Sequence, residues 1–219
     1  MRRRRLLLHH VPLGLASAVA LVVFMGLAPS HGGISISQLV VATGYVALAL
    51  LGLTLLIGPA NLLLRRRNPV SSYLRRDVGT WTAIASVVHV ILGFQVRHGG
   101  GIRGVLDFFV ADGRPLTNGF GLGNWTGLAA LVIVVGLLAI STDRTLRELK
   151  ARRWKNLQRL NYALFALVVL HAVFYGALAR TTSPFTLLLL FIGIAVLLGQ
   201  AAGVWLWRRK HARPAARGT

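Results

Sequence analysis

Residues 38–60 read "QLVVATGYVALALLGLTLLIGPA", a run of 23 residues without a charged side chain. A helix of about 20 apolar residues crosses the roughly 30 Å of hydrocarbon in a lipid bilayer. This stretch is therefore predicted to be a membrane-spanning helix. The rest of the chain must then be interpreted with the bilayer, not water, as the solvent.

The whole chain has the composition of an integral membrane protein. Of its 219 residues, 55% are hydrophobic and 14% are charged, which is too apolar for an ordinary soluble domain. The first apolar segment exceeds the roughly 7 to 15 residues of a signal-peptide core, so we expect it to be retained. The sequence predicts an all-α integral membrane bundle of six transmembrane helices in a single domain over residues 1–219. The other five spans are expected at 11–28, 78–96, 122–142, 157–178 and 185–207.

The positive charges predict the topology. Lys and Arg number 25 against five Asp and Glu, and 21 of the 25 lie in the two terminal segments and the two loops predicted to be on the same side of the membrane. Because cytoplasmic loops of membrane proteins are enriched in Lys and Arg, both termini are expected to be cytoplasmic. Clusters between spans also indicate contact with anionic membrane lipid and do not indicate nucleic acid. The four basic residues on the opposite side are Arg97, Arg103, Arg114 and Arg180.

The basic clusters on the predicted cytoplasmic side leave a second interpretation open. They could also dock a flavin phosphate or an acidic reductase. The residues concerned are Arg65, Arg66, Arg67, Arg75, Arg76, Arg152 and Arg153. The chain contains no cysteine, which excludes disulfides, thiolate metal sites and iron–sulfur clusters. Any redox cofactor must therefore be held by histidine or by noncovalent contacts.

Two histidines lie inside predicted spans, His89 in "VVHVILGFQ" (87–95) and His171 in "LVVLHAVFYG" (167–176). An imidazole without partners in hydrocarbon costs about 2 kcal/mol or more. Each lies seven residues before the predicted outer end of its span, which at about 1.5 Å per residue is about 10 Å below the boundary. The third and fifth spans run in the same direction, so both imidazoles are expected at equal depth, where they could clamp one heme iron. Hydrogen bonds to a neighbouring helix and a place in the lining of a polar cavity are the alternatives.

Several other residues are candidates for a role near the histidines or at the helix ends. Small residues near the pair would allow close approach of a porphyrin or of another helix: Ala85, Ser86, Gly93, Ala172 and Gly176. Asp77 is placed at a helix N-terminus, where a carboxylate is favoured. His98, Arg97 and Arg103 are assigned to the outer loop, where the arginines could pair with heme propionates or anchor the interface. No partner pattern is assigned to His9, His10, His31 and His211.

Around the two histidines the sequence resembles the ferric reductase-like transmembrane domain family. The stretch "RRDVGTWTAIASVVH" (75–89) is similar to the third span of the family, and "FGLGNWTGLAALVIVVGLLAISTD" (120–143) to the fourth. "LRELKARRWKNLQRLNYALFALVVLH" (146–171) is similar to the following loop and fifth span, where a Trp, a Leu-x-Arg-Leu and a Tyr precede the ligand histidine. The likeness covers about residues 40–205.

The resemblance implies a heme b-binding membrane subunit in which His89 and His171 are the axial ligands of the iron. Within the family, six spans without a flavin domain are most similar to the heme-binding membrane subunits of periplasmic methionine sulfoxide reductase systems. This implies a multi-pass protein of the cell inner membrane, a cytoplasmic flavin reductase as donor, FMN or FAD on the cytoplasmic side, and a periplasmic reductase subunit as acceptor. The chain would then be an electron-transfer subunit rather than a complete enzyme.

The sequence departs from the family at the inner heme. Where the family commonly has a histidine thirteen residues before the outer ligand, this chain has Gln158, and the residue thirteen before His89 is Arg76. Neither is an iron ligand, so the resemblance implies one heme and leaves open whether a second heme or a flavin fills the inner position. Two other functions also stay open: reduction of ferric or cupric chelates at the outer face, and a heme-free transporter or scaffold.

The charge distribution makes the topology testable with reporter fusions. Fusions after Arg67 and after Arg153 should report the cytoplasm, and a fusion at Gly113 should report the opposite side, because positive charge resists translocation. Paired alkaline phosphatase and green fluorescent protein reporters would measure this. A phosphatase-active fusion at Arg67 or Arg153 would contradict the predicted orientation.

Overall fold

A computed structural model of the chain describes residues 6–28, 35–64, 70–96, 102–179 and 181–211. Within these ranges six helices are long and apolar enough to cross a membrane, which confirms the predicted six-span bundle and makes the chain a multi-pass membrane protein. The spans are Leu6–Leu27, Ile36–Leu63, Tyr73–Gln95, Gly119–Ala139, Asn156–Phe174 and Pro184–Arg209.

The helices follow one another with short connections. A π-helical turn at Leu6–His10 leads into the first helix. In chain order the elements are α1 (Val11–Leu27), α2 (Ile36–Leu63), α3 (Val70–Gln95), α4 (Ile102–Leu106), β1 (Val110–Ala111), β2 (Arg114–Pro115), α5 (Gly119–Ala139), α6 (Asp143–Gln158), α7 (Leu160–Phe174) and α8 (Pro184–His211). We call the end of the bundle that carries α4 and the β1–β2 hairpin the loop end, and the end that carries α6 the basic end.

Polar side chains define where the helices begin. At α2, Gln38 N–H donates to Ser35 Oγ while Ser35 N–H donates to Gln38 Oε1, a reciprocal capping box. Asn118 Oδ1 accepts from Gly121 N–H at the start of α5, and Thr142 Oγ1 accepts from Thr145 N–H at the start of α6. These bonds satisfy backbone donors that a helix leaves unpaired at its first turn.

Helix α2 is the centre of the bundle. Of its most apolar stretch 56% is buried, against 28% or less in the other spans. It packs most extensively on α3 and α8 and also contacts α1 and α7, while α5 packs mainly on α7. Buried Leu48 and Leu55 of α2 join Leu189, Ile192 and Val196 of α8 in one apolar cluster. Helix α2 therefore fixes the relative positions of the helices that carry the histidines.

Two segments differ from the expectation. The basic stretch after the fourth span, expected as a loop, forms helix α6, and Trp154 Nε1 donates to Ile140 O at 3.1 Å to hold it against the end of α5. The fifth span ends at Phe174 rather than at 178, because turns replace the helix from Tyr175 onward.

The prediction for Asp77 is wrong in its position. Helix α3 begins at Val70, so Asp77 lies two turns inside it, and its side chain is fully buried. It is paired with the π-helical turn: Asp77 Oδ2 lies 2.7 Å from His9 Nδ1, and Oδ1 lies 3.5 Å from His10 Nε2. A buried carboxylate requires such partners, so these two histidines, which the sequence left unassigned, join the first span to α3.

The contact between α2 and α8 depends on a glycine. A Cβ atom at Gly52 would lie 2.7 Å from Ile192 Cγ2, whereas a Cβ atom at Gly58 of the same helix would meet no atom within 4 Å. Gly52→Leu should therefore destabilise the bundle by about 1–3 kcal/mol through overpacking. Thermal unfolding of the detergent-solubilised protein should show a lower Tm for Gly52→Leu and little change for Gly58→Leu, and an equal fall in both variants would contradict this packing.

Candidate functional site

The first of the two intramembrane histidines is fixed by the neighbouring helix. His89 lies on α3, and its Nδ1 is 2.8 Å from the backbone oxygen of Val40 on α2. The ring lies against Gly44, one turn further along α2, where a Cβ atom would be only 3.0 Å from His89 Cε1. The missing side chain at Gly44 therefore lets the imidazole come close enough to bond the carbonyl.

The second histidine is held in the same way by another pair of helices. His171 lies on α7, and its Nδ1 is 2.7 Å from the backbone oxygen of Gly123 on α5. Its ring lies against Gly127, where a Cβ atom would be 2.8 Å from His171 Nδ1. In both pairs, the glycine follows the accepting carbonyl by four residues, which is one turn of helix on the same face.

These hydrogen bonds determine which ring nitrogen carries the proton. A carbonyl oxygen only accepts hydrogen bonds, so Nδ1 of each imidazole must be the donor. The neutral ring then has its lone pair on Nε2. Among the described residues, neither Nε2 atom has a hydrogen-bond partner. Each histidine thus presents one unused metal-binding nitrogen.

The structure brings the two imidazoles together. Their ring centroids are 6.0 Å apart, and their planes are nearly perpendicular at 83°. An imidazole nitrogen binds a metal at about 2 Å, so two nitrogens on opposite sides of one metal atom lie about 4 Å apart. For two rings that direct Nε2 at one metal atom, the ring centres lie farther apart than the nitrogens, and the observed centroid separation of 6.0 Å is compatible with this arrangement.

The donor set indicates which kind of metal centre fits. No group of three or more His, Cys, Asp or Glu side chains able to hold a metal ion occurs in the described part of the chain. Two imidazoles alone suit a metal whose remaining ligands come from a macrocycle, as in heme with its axial histidines. The residues present therefore fit a bis-histidine heme better than a bare metal ion.

Aromatic rings cover the site on its loop-end side. The Tyr175 ring lies 4.9 Å from the His171 ring, centroid to centroid, and 5.9 Å from the ring of Phe120. Phe120, Phe108 and Phe94 continue the row at 5.6 and 5.4 Å. Asn124 links two members of this row of rings. Its Oδ1 accepts a hydrogen bond from Tyr175 Oη at 2.5 Å, and its Nδ2 donates to Phe108 O at 2.8 Å. The row separates the histidines from the loop end.

The inner position, where the family commonly has a second ligand pair, is built differently. The Gln158 side chain accepts a hydrogen bond from Asn161 Nδ2 at 3.2 Å, and the guanidinium of Arg76 lies over the ring of Tyr73 at 5.5 Å. Both residues line a cavity of about 370 Å³ at the basic end. No imidazole is among the described residues that line this cavity.

Sequence reasoning singled out both histidines and missed the elements that hold them. Gly44 and Gly127 carry no signal in one sequence that distinguishes them from other glycines in spans, and a Cβ at Gly93, which the sequence favoured, would meet no atom within 4 Å. Some predicted positions lie outside the described residues or side chains: His31, Arg65, Arg66, Arg67, Arg97, His98, Arg103, Arg152 and His211.

The fold and the site together define a class, a multi-pass membrane protein that pairs two intramembrane imidazoles from parallel helices. Residues 43–169, more than half of the chain, match the family described as ferric reductase like transmembrane component. The chain belongs to this family, which confirms the resemblance found in the sequence. The matched region contains His89, ends two residues before His171, and includes most of α2 and all of α5.

Two relatives found by sequence comparison have the same name. The protein-methionine-sulfoxide reductase heme-binding subunit MsrQ of Ralstonia nicotianae is 28% identical over 189 residues, which are 85% of this chain and 80% of the relative. The subunit of the same name from Bordetella pertussis is 37% identical over 86 residues, which are 39% of this chain and 40% of the relative. The first similarity extends over most of both proteins.

Proposed function

We propose that this chain is a heme b-binding electron-transfer subunit of the cell inner membrane, with His89 and His171 as the axial ligands. The observation that carries the proposal is the pair of imidazoles, 6.0 Å apart, each with Nδ1 bonded to a carbonyl and Nε2 unused. Family membership and the heme-binding name of its relatives support it. A heme-free role for the histidines would leave both Nε2 atoms without a hydrogen-bond partner among the described residues.

The chain's own residues orient and polarise the ligands. The carbonyls of Val40 and Gly123 hold the imidazoles in the tautomer that exposes Nε2, and a hydrogen bond at Nδ1 raises the basicity of the nitrogen opposite. Gly44 and Gly127 set how closely the rings approach α2 and α5. When bound, heme would supply reversible one-electron chemistry at its iron.

No catalytic acid or base is needed for this function, since the protein's task is to hold the cofactor and exclude water. The row of rings from Phe94 to Tyr175 covers the pair on the loop-end side. The apolar cluster of α2 and α8 packs against Val168 and Ala172, which lie near His171 on α7. Such an environment favours electron transfer over side reactions with solvent.

The direction of transfer follows from the predicted topology. With the basic end in the cytoplasm, a flavin-dependent reductase would donate electrons there, and FMN or FAD would act on that side. Exposed cations on α6 and α8, among them Arg153 and Arg208, suit an acidic donor surface. The acceptor at the loop end would be an extracytoplasmic enzyme such as a methionine sulfoxide reductase, as the names of the relatives suggest.

Replacing either ligand should remove heme without preventing membrane insertion. His89→Ala and His171→Ala each delete one of two nitrogens that hold the iron, whereas a single polar side chain affects insertion of such apolar spans little. The wild type should contain about one heme per chain by the pyridine hemochrome assay. Each variant should lose heme or show a high-spin visible spectrum.

The control for this experiment is His98→Ala, which should keep the wild-type spectrum. A full low-spin b-type spectrum in His89→Ala or His171→Ala would show that the residue is not a ligand. A wild-type protein without a b-type α-band in its reduced-minus-oxidised spectrum would favour the heme-free alternative.

The glycine under each imidazole provides a second test. In Gly127→Ala the new Cβ would lie 2.8 Å from His171 Nδ1, so the ring must move away from the Gly123 carbonyl. Loss of such a supporting bond typically lowers metal affinity about tenfold or more. Gly136→Ala is the matched control on the same helix, because its Cβ would meet no atom within 4 Å. Heme retention during size-exclusion chromatography should fall in Gly127→Ala only, and equal retention in both variants would contradict the role of Gly127.

A further inference from the structure

The cavity at the basic end has the chemistry of an anion site. It has a volume of about 370 Å³ and lies between α2, α3, α5, α6 and α7. Three arginines line it, Arg75 and Arg76 from α3 and Arg159 from the junction of α6 and α7. The described lining includes no Asp or Glu. Positive charge gathered in one cavity without a lining carboxylate favours a negatively charged occupant.

One of these arginines has a buried donor without a partner among the described residues. Arg75 Nε is fully buried, and it has no hydrogen-bond partner among the described residues. Buried donors of this kind are rare, because the desolvation of an N–H group is normally offset by an acceptor. A guanidinium binds oxyanions through parallel N–H groups, so an acceptor supplied by a ligand would satisfy Arg75.

The cavity also lies at a particular depth. Arg75 is two residues inside the third span, and Ser141, on the opposite wall, lies two residues beyond the fourth. The cavity is therefore at the boundary between hydrocarbon and water, where phosphate groups of lipids lie. Its deeper wall is apolar and is formed by Leu51, Val134, Leu137 and Leu164.

From this combination we propose that the cavity binds a phosphate group, with Arg75 and Arg159 as its principal ligands. Gln158 and Arg76, which also line the cavity, are not iron ligands, so the polar groups available there suit an anion better than a metal. Basic pockets between transmembrane helices at the membrane surface commonly bind the headgroups of anionic lipids. A phospholipid headgroup and a soluble phosphate ester present the same oxyanion, and the experiment below separates these two sources.

The test measures phosphorus that stays with the purified full-length protein. The chain is purified and washed extensively in a detergent and buffer free of phosphorus, and total phosphorus is determined per chain. Extraction with chloroform and methanol then partitions the phosphorus. Phosphorus in the organic phase identifies a lipid headgroup, and phosphorus in the aqueous phase identifies a soluble phosphate ester. Either source supports the proposal.

Two variants and one control locate the site. Arg75→Gln and Arg159→Gln each remove charge-assisted hydrogen bonds and should weaken phosphate retention about tenfold. Arg159 is exposed, so its replacement gives a folded protein even if Arg75→Gln does not insert. Arg153→Gln makes the same change of charge on α6 away from the cavity and should retain wild-type phosphorus.

The outcomes separate this inference from the proposed function. If the wild type holds no more phosphorus than Arg75→Gln and Arg159→Gln, or if Arg153→Gln loses as much as they do, the cavity is not a phosphate site. Heme is determined in the same samples by the pyridine hemochrome assay. Phosphorus without heme contradicts the proposed function alone, and heme without excess phosphorus contradicts this inference alone.

Discussion

An imidazole inside a bilayer has two polar nitrogens and no water to satisfy them, and the organisation of this protein follows from that constraint. One nitrogen of each intramembrane histidine is satisfied by a backbone carbonyl of a neighbouring helix, at 2.8 Å for His89 and 2.7 Å for His171. A helical carbonyl is available for this only if the ring comes very close to the helix backbone. The second nitrogen is then left for a ligand from outside the chain.

The same arrangement of histidine, backbone carbonyl and glycine occurs twice, in two helix pairs that come from different parts of the chain. In α2 and in α5 a glycine follows the accepting carbonyl by one turn, and its missing side chain provides the space that the ring fills. Helix α2 packs on α3 and also contacts α7, while α5 packs on α7, so both imidazoles belong to one connected core. Stability of the bundle and placement of the rings therefore depend on the same close contacts between helices.

The two ends of the bundle differ because their polar groups differ. Towards the loop end, rings and one asparagine enclose the histidines without adding charge. At the basic end, three arginines line a cavity, and no histidine is among its described lining residues. The role of Asp77 could not be predicted from its local sequence. A carboxylate near a predicted helix start fits a capping role. In the structure, α3 begins seven residues earlier and Asp77 is buried against His9. No pattern in either segment pairs residues that are 68 positions apart.

The sequence by itself predicted the six spans, because hydropathy shows which segments can cross a bilayer. The spacing of His89 and His171 within their spans gave the hypothesis that they pair, since the helical rise converts residue number into depth. The order of the motifs indicated the family. The sequence also led to the prediction that Gln158 and Arg76 are not iron ligands. Only the tertiary structure decided which carbonyls and which glycines hold the rings, that Asp77 joins the first span to α3, and that three arginines line one cavity. Those features depend on which faces of distant helices meet, and that is settled by packing over the whole bundle rather than by any one segment.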